Sequence, residues 1–261
     1  MNELIEKACG IIREASNIML KRDFVVNEKT STSDLVTSAD IAVQKYLEER
    51  LVKLLPGSSF FGEEGKLGET TEYLWVNDPI DGTANFARDL GLSVISVALL
   101  KDGEPYIGIV YNPYRDEMFT ALKGNGAYLN GSRIHVSDRP FIKSALCSAM
   151  SLYAKEYAKP CFNIIERVYV QSDDLRRLGT AAYELCLLAA GKVDLYFEIR
   201  LSCWDYAAGI LLIKEAGGFV EMMHADRLYL DKPASIVAAN TKENFEKIKG
   251  ICYEEIPSPL W

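Results

Sequence analysis

The chain of 261 residues is 49% hydrophobic and 25% charged, the balance of a folded chain with a sizeable core, which excludes intrinsic disorder and leaves one large domain or two packed lobes. Its 29 Lys and Arg against 37 Asp and Glu leave a net charge of −8. That argues against a nucleic-acid partner, and an anionic substrate would need bound cations or backbone dipoles to reverse the local sign.

Leu4, Ile5, Ala8, Ile11, Ile12, Ala15, Ile18 and Met19 recur at helical spacing and predict an amphipathic first helix ending near Lys21-Arg22. A second helix is predicted from Ser38 or Asp40 to Leu55, stopped by Pro56-Gly57. From there to about residue 140, apolar runs at 59–62, 73–76, 92–100, 106–111 and 118–122, with turns at Asp102-Gly103 and Asn130-Gly131, predict an antiparallel meander. The rest alternates: strand 144–150, helix 180–190 closed by Gly191, strand 193–199, helix 207–216 closed by Gly217-Gly218, strand 235–239, and a short last helix opened by Thr241.

Several familiar chemistries are excluded. Cys9, Cys147, Cys161, Cys186, Cys203 and Cys252 form no C-x-x-C pair and read as reduced core thiols. There is no G-x-S-x-G, and His135 and His224, the only histidines, read as structural or solvated. Gly57 to Gly62 continues into Glu63-Glu64 instead of Lys-Ser/Thr, and Gly124-x-Gly126 lacks a third glycine, so neither a Walker loop nor a dinucleotide fingerprint is present. No stretch approaches the roughly 20 apolar residues of a membrane span, and Met1-Asn2-Glu3-Leu4 is not a signal-peptide start, so a cytoplasmic address without membrane contact is expected.

The acids are placed more tellingly. Asp78 and Asp81 follow the buried-strand pattern Trp75-Val76, with Pro79 and Gly82 read as a turn and Gly82 to Phe86 as a helix opening. Glu63-Glu64 close the strand-like run 59–62, and Asp205 stands at the start of an apolar helix. Taken singly, Asp78 and Asp205 also fit as helix caps, and Glu63-Glu64 as part of a solvated polar run. Taken together, convergent carboxylates repel by about 4 kcal/mol at 4 Å and an effective dielectric of 20, so they call for cations. Hard oxygen donors select Mg²⁺ or Mn²⁺.

In order along the chain, Asp34 to Asp40 (DLVTSAD), Gly62-Glu63-Glu64-Gly65, Trp75 to Phe86 (WVNDPIDGTANF) and Trp204 to Gly209 (WDYAAG) resemble the inositol monophosphatase family. Lys123 to Ala127 and Gly179 to Ala182 resemble its connecting segments. The resemblance implies an α/β fold, an αβαβα layered sandwich of two closely packed lobes as in inositol monophosphatase and fructose-1,6-bisphosphatase. Residues 1–140 would form an α+β lobe with most metal ligands, and 141–261 an α/β lobe completing the site. It also implies lithium sensitivity, a homodimer and two or three Mg²⁺ ions, with Mn²⁺ as a substitute. Glu63, Asp78 and the Ile80 carbonyl would hold the first ion, Asp78, Asp81 and Asp205 the second, and Glu63 would touch a third.

Carried over in the same way, Thr83 and Asp40 would orient and deprotonate the attacking water, with Glu64 shaping the acidic cluster and Lys29 on a closing loop. The N–H groups of Gly82 and Thr83 would face phosphate oxygens. Asp81, Ala181, Glu198 and Asp205 would line the substrate. Asn77, Ala84, Arg88 and Gly91 depart from the family pattern, and none of them is a proposed metal ligand. The expected substrate is a small polyol or sugar phosphate, myo-inositol monophosphate first; fructose 1,6-bisphosphate, histidinol phosphate, a 3′-phosphoadenylate, or a non-catalytic regulator binding a protein partner are the alternatives.

Overall fold

The structure is a computed structural model that describes residues 2–22, 24–28, 35–147 and 155–259. Helix α1 (Asn2–Leu20) buries Ala8, Ile12, Ala15 and Met19 along one stripe, as its spacing dictates. Strands β1 (Val26–Glu28) and β2 (Leu35–Thr37) pair antiparallel. Helix α2 (Ser38–Leu54) then starts on a capping box: Thr37 caps the first turn and Asp40, three residues on, returns a hydrogen bond to the Thr37 N–H.

A seven-stranded sheet follows in the order β3 (Ser59–Gly62), β4 (Tyr73–Asp81), β5 (Val94–Lys101), β6 (Glu104–Asn112), β7 (Glu117–Leu122), β8 (Gly126–Leu129) and β9 (Ser132–Ile134), with the short helix α3 (Thr83–Ala87) between β4 and β5. From β4 to β9 it is the expected antiparallel meander, but β3 lies parallel to β4. The ten-residue connection between them allows this, because it crosses back along the sheet instead of turning as a hairpin.

The second sheet is mixed. It takes β10 (Ala145–Cys147), β11 (Asp174–Arg176), β12 (Leu195–Leu201), β13 (Phe219–Met223) and β14 (Ala234–Ala239) in the order β11-β10-β12-β14-β13. Helices α4 (Ala158–Tyr169), α5 (Ala181–Ala189) and α6 (Cys203–Glu215) connect them, and α7 (Lys242–Glu255) follows the last strand. Of the strand expected at 144–150, residues 148–150 lie outside the described residues.

Three cores stack these elements into α, β, α, β, α layers. One joins α1 and α2 to the first sheet, a second encloses α5 and α6 between both sheets, and a third joins α4 and α7 to the second sheet. Helices α5 and α6 therefore read apolar all round: nearly every residue meets protein. They approach closely at Gly209, where a Cβ would lie 2.5 Å from Leu185 Cδ1.

Some boundaries differ from the sequence reading. Pro79 is inside β4, at a bulge, and not in a turn. Helix α6 begins at Cys203, so Asp205 sits in its first turn. Helix α7 has 14 residues and is not short. Helix α4 and strands β1, β2, β11 and β13 were not expected. No helix among the described residues is long and apolar enough to cross a membrane.

Candidate active site

Strand β4 is buried from Leu74 to Asp81. Strict alternation would send residues 78 and 81 to opposite faces, but the register with β5 shifts between them. Pro79 tolerates this bulge because it has no ladder N–H to lose. The parallel neighbour β3 ends at the same edge: Gly62 pairs with Asn77 and the Glu63 N–H donates to the Asn77 carbonyl at 3.1 Å. Gly62 must be small there, since a Cβ would lie 2.2 Å from Gln44 Oε1, which accepts the Glu64 N–H at 2.9 Å.

Asp205 arrives from the other side of the sheet. Ser202 and Asp205 form a capping box, the Ser202 N–H donating to Asp205 Oδ2 at 2.7 Å. The capping-box partner of Ser202 and the candidate ligand are thus one residue. Ser96, opposite Asp78 on β5, donates to the Trp204 carbonyl at 3.2 Å. Phe61 packs edge-on against Trp204 at 5.3 Å. These contacts tie the start of α6 to the ends of β3 and β4.

Asp78 and Asp81 are buried and Asp205 is half-buried, and their charges act on one another. Burial first, then Glu63, Asp81, Asp205 and Asp40, push the Asp78 carboxyl well above the usual range. Burial also raises Asp81, to about 6, against hydrogen bonds from Thr180 Oγ1 at 2.5 Å and the Ala182 N–H at 2.8 Å. Asp205 is pushed well up by burial, Asp81 and Glu63, opposed by the Ser202 N–H and a hydrogen bond with Asp78. Desolvated like charges of this kind are the electrostatic signature of a cation site.

No three His, Cys, Asp or Glu side chains among the described residues close into a ready metal cage. The main-chain and threonine donors fall on one oxygen of Asp81 and one of Asp205, and the Ile80 N–H donates to Asp78 Oδ1 at 2.9 Å. The donor set is all oxygen and acidic, and the fold holds it together against mutual charge repulsion, which fits a hard divalent ion.

Thr83 opens α3 behind Gly82, whose φ of 85° and close surroundings suit glycine: a Cβ would lie 3.0 Å from the Leu92 carbonyl and 3.1 Å from Thr180 Cβ. The Thr83 hydroxyl is 3.3 Å from Asp40 Oδ1 and 3.0 Å from the Ile80 carbonyl. With a single proton it donates to one of them at a time. Asp40 is fully buried, its other oxygen taking the Thr37 N–H at 2.9 Å and the Thr37 hydroxyl at 2.5 Å.

Among the other expected residues, Ala181 is the buried first residue of α5, Glu64 is half-buried beside Gln44, and Glu198 is buried on β12. Lys29 lies outside the described residues. His224 Nε2 lies 2.7 Å from the Ile256 carbonyl and its ring contacts Tyr253, and His135 is exposed, as read. Thr180, Ser96 and Tyr196 were missed. So was Glu184, a fully buried carboxyl that takes the Leu178 and Gly179 N–H groups and is raised to about 7 by burial. Only Thr180 stood in a segment that the family resemblance singled out.

The inositol monophosphatase family profile matches residues 1–255. Inositol-1-monophosphatase of Mesorhizobium japonicum is 37% identical over 249 residues, covering 92% of this chain and 91% of the relative. Nus factor SuhB of Escherichia coli strain K12 is 36% identical over 249 residues, covering 93% of each. Among solved structures, the Thermotoga maritima IMPase matches with a TM-score of 0.86 at 29% identity, over 98% of this chain and 99% of that one. With a family match over nearly its whole length and relatives above 30% identity, the chain belongs to the inositol monophosphatase family and is a phosphatase of that family.

Proposed function

We propose that this protein is a Mg²⁺-dependent phosphomonoesterase that hydrolyses a small polyol or sugar phosphate, with myo-inositol monophosphate as substrate and inositol and phosphate as products. The observation that carries this is the acid group of buried Asp78 and Asp81 with half-buried Asp205, on which the Glu63 charge also acts, set beside the Thr83–Asp40 pair.

Glu63, Asp78 and the Ile80 carbonyl would hold one Mg²⁺, Asp78, Asp81 and Asp205 a second, and Glu63 a weaker third, with Mn²⁺ as a substitute. Bound ions supply positive charge for the phosphate and make water more acidic. Thr83 orients the attacking water, and Asp40 receives its proton through the threonine hydroxyl, for which it is the acceptor once the Ile80 carbonyl is engaged elsewhere. The Gly82 and Thr83 N–H groups face the phosphate oxygens, and a water held at Asp205 returns a proton to the leaving alkoxide. Glu64 adds negative charge to the cluster, and Lys29, which lies outside the described residues, keeps the catalytic role that the family resemblance implies. Ala181 and Glu198 line the polyol. In the same reading the lobes are 1–140 and 141–261, and the protein works as a cytoplasmic, lithium-sensitive homodimer.

Phosphate release from a panel of phosphoesters, with and without Mg²⁺ and Li⁺, tests this. Mg²⁺-dependent, Li⁺-inhibited turnover of inositol monophosphate supports it, and preference for fructose 1,6-bisphosphate, histidinol phosphate or a 3′-phosphoadenylate moves the substrate within the same chemistry. The Nus factor name of the SuhB relative favours a second reading in which this scaffold binds a protein partner. A chain that neither binds Mg²⁺ nor releases phosphate leaves only that role.

A further inference from the structure

Tyr196 and Glu198 stand two residues apart on β12, so their side chains leave the same face of the strand. Leu195, Phe197 and Ile199 point the other way, into the core shared with α4 and α7, whereas Tyr196 lies in the core around α5 and α6. The Tyr196 hydroxyl donates to Glu198 Oε2 at 2.7 Å. Tyr196 is fully buried and Glu198 is 6% exposed. Just beyond Glu198 the strand bulges, and Ser202 then opens the helix that carries Asp205.

Burial first, then the like charges of Glu184, Asp205 and Asp81, push the Glu198 carboxyl well above the usual range, and the Tyr196 hydroxyl opposes them. A carboxylate in such surroundings turns away or takes up a proton unless a donor holds it. Tyrosine suits that task, because a ring locked in a packed core fixes where its O–H points. One carboxylate oxygen is then occupied, and the other keeps a defined direction.

We propose that Tyr196 is a positioning residue for substrate choice: its hydroxyl holds Glu198 Oε2, so that Oε1 accepts a hydrogen bond from a hydroxyl of the leaving group. The inference rests on the reading of this site as a polyol-phosphate phosphatase. It makes a free hydroxyl near the ester, and not the phosphate, the feature that Glu198 selects.

Tyr196→Phe keeps the ring and removes one hydroxyl. Initial rates of the Mg²⁺-loaded protein are compared on myo-inositol 1-phosphate and on p-nitrophenyl phosphate, whose leaving group offers no hydroxyl donor. The expected result is an approximately tenfold fall in kcat/KM for inositol 1-phosphate, carried by KM, with p-nitrophenyl phosphate changed by less than about twofold. In a Glu198→Gln background the Phe substitution adds no further loss. Equal losses on both substrates, no loss on inositol 1-phosphate, or additive losses in the double variant overturn the assignment and leave the phosphatase reading standing. Wild-type protein inert towards every polyol phosphate overturns that reading, and this inference with it.

Discussion

Asp81→Asn tests the electrostatics of the acid cluster most directly, because it removes one charge while keeping the shape of the side chain. An oxygen remains for Thr180 Oγ1 and the Ala182 N–H, which now donate to Oδ2 at 2.5 and 2.8 Å. Burial raises the Asp81 carboxyl from 3.8 to about 6. A carboxyl whose folded pKa exceeds its unfolded value contributes stability that is present below about 3.8 and lost as pH rises through about 6. By pH 8 the loss amounts to roughly 3 kcal/mol. Asparagine does not ionise, and its presence also relieves Asp78 and Asp205, both pushed up by the Asp81 charge. In EDTA the variant and the wild type should therefore match near pH 4, and at pH 8 the variant should melt higher by roughly 6–12 °C. Adding Mg²⁺ should reverse the order, because an ion that binds the native state stabilises the wild type more. Thermal unfolding at pH 4, 6 and 8 reads this out. A wild-type stability that does not fall between pH 4 and 8, or a variant less stable than wild type at pH 8 in EDTA, refutes the reasoning.

Thr83→Ala and Asp205→Asn should each lower kcat by orders of magnitude with an unchanged circular dichroism spectrum, since neither change touches the apolar cores; near-wild-type turnover in either removes its assigned role. Gly209→Ala should lower Tm without changing turnover per folded molecule. Its Cβ would lie 2.5 Å from Leu185 Cδ1 and 2.7 Å from Leu185 Cβ, and overpacking of that kind costs about 1–3 kcal/mol. A melting temperature equal to or above wild type counts against so close a contact between α5 and α6.

Much of the fold was legible in the chain. Helix α1 shows a plain apolar stripe, α2 starts where Thr37 and Asp40 form a capping box, and the meander follows its turns. Helix α4 was not, because Pro160 interrupts its first turn and its buried positions are only Cys161, Ile164 and Val168. The parallel pairing of β3 with β4 could not be read either, since nothing local distinguishes a parallel edge strand from a hairpin arm. Glu63, Asp78, Asp81 and Asp205 were singled out from residue type and flanks, and the roles of Asp40 and Thr83 from the family resemblance. Thr180 escaped because its hydroxyl meets Asp81 across 99 positions.

The chain by itself marked the candidate residues: the acids after buried strands, the glycine before Thr83, and a net charge that calls for bound cations or backbone dipoles at an anionic site. Only the tertiary structure decided that Asp78 and Asp81 share an edge through a bulge at Pro79, that Asp205 serves the Ser202 capping box while facing the other acids, and that Tyr196 holds Glu198. Periodicity and capping act over a few bonds and leave a local trace. Charge repulsion and desolvation depend on distance through space and on exclusion of water, and these exist only once the sheets and helices have packed.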